Sequence, residues 1–303
     1  MALARRQDLG WVIEAPVLVG PVTDFLPDLL TRAEGGCVAL GVDLPLGLPR
    51  AYAASLPDVD FPAFLRRLTQ GSEFFTVCGE LAELSGERPF YPMRGIRGMT
   101  RAAHAAALGF DGPHGLSRAC DRATGDRPAG APLFWTLGAN QTGKAAIAAW
   151  RDMLLPAIAA RLSVRLWPFE GDFLELLAPG ALVMAETYPA EAMRHLGIVL
   201  AGSKRRQSDR AVCASRLREV MAALDAVPCQ ALDAMMGDGF GVDAAGEDRF
   251  DCVLGLLCVL NVLAGNRPDR APYDPWIRTW EGWVLGQLPL LPDTLDEASK
   301  GII

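Results

Sequence analysis

The chain has 303 residues, 50% hydrophobic and 21% charged, a soluble globular composition with enough apolar material for one large domain or two ordinary ones. Its formal net charge of −7 argues against a general affinity for polyanions and leaves only local basic clusters to meet such a partner. No apolar run reaches transmembrane length without a charge or a proline, and the opening MALARRQDLGW has no signal-peptide core, so a cytoplasmic location is expected.

WVIEAPVLVG (11–20) is two β-rich pieces split by Pro16, which predicts a hairpin or a bent strand. In DFLPDLLTRAEGG, Asp24 is a fair N-cap and Gly35-Gly36 a stop, so a helix is expected between them. CVALGVD (37–43) is short, continuously apolar and ends in an acid, the pattern of a buried strand. LPLGLPR then breaks the chain. Residues 51 to about 130 are irregular, with helical pieces expected at 61–68, 99–108 and 116–124 amid Gly, Pro and Arg; they read as an insertion on a simpler core. APLFWTL (131–137) is a strand candidate, 144–162 a long Ala-rich helix, and VRLWPFEG and GALVMAETYP two further strands. PAEAMRHLG predicts a short helix closed by Gly197, 208–226 a charged amphipathic helix, and 250–264 an apolar helix closed by Gly265. This alternation of strands and helices implies an α/β or α+β sheet protein.

The seven cysteines are scattered and form no C-x-x-C, so free thiols in a reducing compartment are expected. The three histidines (104, 114, 195) are far apart, which speaks against zinc. LGANQTGKAA (137–146) fits G-x-x-x-x-G-K, but the position after Lys144 is Ala145. A P-loop needs a hydroxyl there to ligate Mg²⁺. The stretch is therefore read as a loop and a helix start, with Asn140 or Thr142 as cap.

The informative residues are acids. Asp43 and Glu186 each follow an apolar strand and precede a proline-containing turn (VDLP, AETYP). Ligands bind at the carboxyl ends of strands in an open sheet. Asp251 begins the apolar stretch FDCVLGLLCVLNVLAG, with Asp248 one turn earlier on the same helical face. Three converging carboxylates need a cation between them, and hard oxygen ligands suit Mg²⁺ or Mn²⁺. The plain alternative is that these acids cap turns and a helix.

GVDLPLGLP (41–49), AETYPAEAMRHLG (185–197), FDCVLGLLCVLNVLAG (250–265) and WEGWVLG (280–286) together resemble the family catalogued as domain of unknown function 429, whose members are predicted RNase H-like nucleases. SRACDRATG (117–125), the FW at 134–135, Lys204 and Arg210 are also similar to that family. The resemblance implies an RNase H-like mixed sheet flanked by helices, with Asp43, Glu186 and Asp251 as ligands of Mg²⁺ or Mn²⁺. It departs at two points. The family's first-strand Asp, a few residues before Gly10-Trp11, has no counterpart in MALARRQD, so the first strand is read as missing or divergent. Gly255 stands where a second helical Asp is common.

Arg94, Arg97 and Arg101 flank the glycines of YPMRGIRGMTR, and Lys204, Arg205, Arg206 and Arg210 form a second basic cluster. Either would give salt-sensitive phosphate binding; the alternative is a solvated surface. Trp276, Trp280 and Trp283 share one helical face and read as packing, not as a base-stacking platform. The sequence thus leads to a single RNase H-like domain over 1–303 with an Arg-rich insertion at about 51–130. The expected function is metal-dependent phosphodiester hydrolysis on nucleic acid, with Asp43, Glu186, Asp251 and Lys204 catalytic and Arg94, Arg97 and Arg210 binding substrate. The alternatives are phosphoryl transfer on a small nucleotide or sugar phosphate, and an inactive binding protein of the same fold.

Overall fold

A computed structural model describes residues 1–8, 10–95, 97–123, 128–138 and 141–289. The chain is mixed α/β. Its strands are β1 (Ala4–Gln7), β2 (Gly10–Ile13), β3 (Val38–Val42), β4 (Val164–Leu166), β5 (Leu182–Glu186) and β6 (Ala226–Pro228). They form two three-stranded sheets, ordered β1-β2-β6 and β3-β5-β4. In the first, β1 runs antiparallel to β2, and β2 is parallel to β6. The second is wholly parallel, with Val42 of β3 level with Glu186 of β5.

β5 lies at the centre of its sheet, and all five of its residues are buried. Its side chains alternate between faces, as pleating requires. Leu182 and Met184 enter a core shared with Leu26, Leu48, Phe61, Phe64, Phe74, Phe134 and Trp150, while Val183 and Ala185 pack on the other face with Val259, Val262, Trp283 and Leu285. Aromatics of the 51–130 segment therefore belong to the sheet's own core. β3 was expected to be buried, but it pairs only with β5 and four of its five residues are half-buried. It is an edge strand.

The helix Ala245–Leu263 covers both sheets. Phe250, Leu254 and Leu257 join the core over the first sheet, while Val259 and Val262 join the core over the second. A helix packed on several sides is apolar nearly all round, which explains a sequence with little amphipathic pattern. Its approach to β3 depends on Gly41. A Cβ there would lie 2.8 Å from both Thr187 Cγ2 and Val259 Cγ2.

Helices form at Val22–Arg32, Phe61–Arg67, Arg101–Ala107 and Pro189–His195, near their expected places. The first starts ahead of Asp24, after Pro21. The Ala-rich helix begins at Thr142 and passes through a π-helical stretch, Ala148–Leu154, into Leu155–Ala159. Four expectations are corrected. MALARRQ does form a strand, β1, whose arginines face solvent. APLFWTL is a buried loop with one bridge, Tyr91 to Trp135. The helix expected at 116–124 is only a 3-10 turn at Ala119–Asp121, with Thr124 outside the described residues. The charged helix divides into Gln207–Val212 and Ala214–Ala223 and ends before β6. Trp280 and Trp283 are buried, as expected of packing residues. No helix among the described residues is long and apolar enough to cross a membrane.

Candidate functional site

The carboxyl ends of β3 and β5 are aligned by their register, and the Thr187 N–H donates to Val42 O at 2.8 Å. Asp43 and Glu186 therefore emerge at one sheet edge. The loop after Asp43 is locked against residues 280–282. Gly47 has φ 117°, and a Cβ there would lie 2.3 Å from Glu281 O, so only glycine allows this approach. The Leu48 N–H donates to Trp280 O at 2.7 Å. Leu46 is thereby held with its N–H on Glu186 Oε2, at 2.8 Å.

Glu186 has no exposed surface, and neither has Arg118. Arg118 Nη1 and Nη2 donate to the two Glu186 oxygens at 2.6 and 2.7 Å. The same guanidinium reaches Asp121, with Nε on Oδ2 and Nη2 on Oδ1, both at 3.0 Å. Its Nη1 also donates to Leu46 O at 2.9 Å. The Tyr188 hydroxyl donates to Asp121 Oδ1 at 2.7 Å. One cation thus serves two buried carboxylates with every donor used, the condition under which a buried ionic network is tolerable. Burial pushes Asp121 up, but Arg118 and Tyr188 more than offset it and hold the carboxyl below its usual range. Glu186 is held above its usual range, because burial, helped by Asp121, outweighs the pull of Arg118 and the Leu46 N–H. Arg118 stays a guanidinium, held up by both acids.

In front of this network stands a second group. Asp251, on the long helix, receives Lys204 Nζ on both oxygens, at 2.8 and 2.7 Å. Asp43 accepts no hydrogen bond among the described residues and is solvent-accessible as a residue, so its setting is a crowded rim and not an interior. The surrounding chain strips part of its hydration and, with Asp251 and Glu186 nearby, pushes its carboxyl up to about 7, against the pull of Lys204. Burial also raises Asp251, helped by Glu247 and Asp248 and opposed by Lys204. A carboxylate raised by a neighbouring acid, beside a carboxylate paired with an ammonium at a strand-end rim, forms a functional-site candidate.

The three expected acids therefore stand close together but in different environments. Both oxygens of Glu186 are committed to Arg118, so its expected role as a metal ligand is not supported by its surroundings; it braces the site. Among the described residues no three His, Cys, Asp or Glu side chains are grouped so as to hold a metal ion. The donor chemistry that remains is Asp43 and Asp251. Two hard carboxylates are what Mg²⁺ commonly takes from a protein, the other positions going to water and phosphate. Asp251 and its lysine are partly exposed, whereas Glu186 is sealed on a buried guanidinium, so Asp43 and Asp251 are the acids that an ion could reach.

Arg210 was expected to meet substrate. Instead it is 1% exposed and spends its donors on carbonyls: Gly239 at 2.9 Å, Gly241 at 2.6 Å, and Lys204. It anchors the loop that carries Lys204. Arg94 and Arg97 are exposed and make no ion pair or hydrogen bond among the described residues. They flank Gly95, where a Cβ would lie 3.9 Å from Leu137 Cδ2. No contact joins them to Asp43. In the P-loop-like stretch, Gly143 N–H donates to Trp135 O at 2.9 Å, so that donor is spent inside the protein. Lys144 is exposed, and Asn140 lies outside the described residues.

Sequence reasoning gave no role to Arg118, Asp121 or Tyr188. The signal was present: an arginine three residues before an aspartate in SRACD, and a tyrosine two after Glu186 in ETYP. Comparison with protein-family models, curated proteins and solved structures yields no match.

Proposed function

We propose that the chain is a divalent-cation-dependent hydrolase of phosphodiesters in nucleic acid, with an RNase H-like site built on the β3–β5 edge. The observation that carries this reading is the Lys204–Asp251 pair, within electrostatic reach of Asp43, at the carboxyl ends of parallel strands, where open sheets place ligands. Asp43 is open to solvent, which suits a long substrate lying across a rim better than a compact ligand in an enclosed pocket. The exposed Arg94 and Arg97 are available to a polyanion, whereas Arg210 is not.

Asp43 and Asp251 would hold the cation. When bound, Mg²⁺ or Mn²⁺ supplies an acidified water and neutralises phosphate charge. The chain's own contribution is placement. Glu186 and Arg118 fix the loop that follows Asp43, Arg210 fixes the loop of Lys204, and the Lys204 ammonium offers a point charge to a phosphate oxygen. The test is calorimetric titration with Mn²⁺ of the intact chain, Asp43→Asn and Asp251→Asn, followed by cleavage of a labelled oligonucleotide. Binding by the intact chain that both amides abolish is the expected result. An intact chain that binds no Mn²⁺ overturns the reading.

A further inference from the structure

Lys204 and Asp251 form a close pair in which the ammonium meets both carboxylate oxygens, at 2.8 and 2.7 Å. Both side chains are about a quarter exposed, at 26% and 21%, so the pair is neither sealed in nor free in water. Asp43, beside it, accepts no hydrogen bond among the described residues. The acids around the pair also include Glu247 and Asp248. Lys204 pulls electrostatically on both Asp43 and Asp251, and it sits on both oxygens of Asp251.

The loop beneath Lys204 is fixed while its side chain is not. The Lys204 carbonyl accepts from Arg210 Nη1, and the other Arg210 donors hold the Gly239 and Gly241 carbonyls. The neighbouring Ser203 N–H is bonded to Asp209 Oδ2 at 2.8 Å. The lysine stem is a flexible four-carbon chain carrying three rotatable donors. Movement of the charge therefore needs only side-chain rotation, with the anchor unchanged.

We infer, resting on the reading above, that Lys204 is an internal counter-ion which a divalent cation displaces from Asp251, and that the released ammonium then engages a phosphate oxygen of the substrate. The exchange breaks no covalent bond: the ammonium leaves the carboxylate, the cation takes its place, and any proton that Asp43 carries passes to solvent as the cation binds. A partly exposed ion pair contributes up to about 1 kcal/mol, which is a handicap of up to about fivefold on cation affinity. Removing the ammonium removes that handicap.

The experiment titrates Mn²⁺ into the full chain, Lys204→Met and Lys204→Arg by calorimetry, with free Mn²⁺ checked by electron paramagnetic resonance. Melting temperatures establish that each variant is folded. A second titration follows fluorescent oligothymidylate binding at saturating Mn²⁺. Lys204→Met is expected to bind Mn²⁺ up to about fivefold more tightly and the oligonucleotide more weakly, while Lys204→Arg gains no Mn²⁺ affinity. These opposed shifts separate displacement from a structural role, which would weaken both. If the intact chain and a folded Lys204→Met bind Mn²⁺ equally, the displacement is refuted and the hydrolase reading stands. If neither binds, the hydrolase reading fails and the inference falls with it. If only Lys204→Met binds, the cation does not displace the lysine from the intact chain, and the displacement and the hydrolase reading both fail.

Discussion

Arg118→Met tests whether one guanidinium neutralises two buried carboxylates. The substitution keeps most of the side-chain bulk and strips Glu186, Asp121 and Leu46 O of their shared donor. Removing one partner of a buried ion pair costs about 3–5 kcal/mol, and a buried carbonyl left without its donor adds about 1 kcal/mol. The expected loss is about 4–6 kcal/mol at neutral pH, or roughly 10–20 °C in melting temperature for a chain of this size. The loss depends on pH, and its sign follows from linkage. In the intact protein Asp121 is held below its usual range, so its contribution is present above the unfolded value near 4 and is lost as pH falls through the lower folded value. In the variant both carboxylates are pushed up, and they take up protons as pH falls from 7 towards 4. The gap between the two proteins should therefore narrow on acidification. Urea denaturation at pH 7 and pH 5 measures it. Glu186→Gln is the milder companion, because it leaves Arg118 paired with Asp121 and should cost about 1–3 kcal/mol. A loss below about 1 kcal/mol for Arg118→Met, or a gap that ignores pH, would refute the argument.

Two glycines on either side of the contact between the long helix and the second sheet should respond oppositely to alanine. At Gly41 the new Cβ would meet Thr187 and Val259 methyls at 2.8 Å, so Gly41→Ala should lose about 1–3 kcal/mol by overpacking. At Gly255 the nearest atom is Thr187 Oγ1 at 3.4 Å, and Gly255→Ala should gain up to about 1 kcal/mol of helix propensity; thermal melts decide both. At Glu191, burial pushes the carboxyl up, but bonds to His195 and Arg194 hold it at about 2. Because that value is depressed, Glu191 stabilises the fold above the unfolded pKa near 4.3 and loses this contribution as pH falls towards 2. Glu191→Gln should cost about 1–2 kcal/mol at pH 7, after allowance for solvent screening, and roughly half as much at pH 3, read from urea midpoints across that range. Arg210→Lys cannot span the Gly239 and Gly241 carbonyls as a fork does. It should raise hydrogen exchange in residues 203–206 while leaving the parallel sheet protected.

The elements that sequence reveals are those whose cause is local. The run 37–43 is apolar and β-branched, and it is a strand; PAEAMRHLG carries its proline at the start and its glycine at the end, and it is a helix. β1 is invisible because ARRQ has no apolar face to signal it. It exists through backbone pairing with β2 and packs little of its own. The aromatic run at 131–137 misleads for the opposite reason. Its side chains are buried in the core, but no strand lies beside it beyond the single bridge to Tyr91. Burial without a partner makes a packed loop. The expected edge of acids is real as a place, because strand register alone sets it. The division of roles within that place was not legible, because it depends on where Arg118 and Lys204 arrive from distant parts of the chain.

That division also explains why three similar acids need not share one task. Glu186 is the last residue of a fully buried central strand, so its carboxylate has no access to water and must be met by protein donors. Arg118 and Leu46 meet it, and in doing so they lock the loop that follows Asp43. Asp43 ends an edge strand, where one side stays open to solvent, and no donor from the described chain satisfies it. Asp251 stands on the first half of a helix whose remaining length is core, and it is met by a flexible, partly exposed lysine. Burial thus commits the innermost acid to structure and leaves the two outer acids within reach of solvent. This edge thus presents a carboxylate without a donor among the described residues, a partly exposed ion pair, and a buried ionic network.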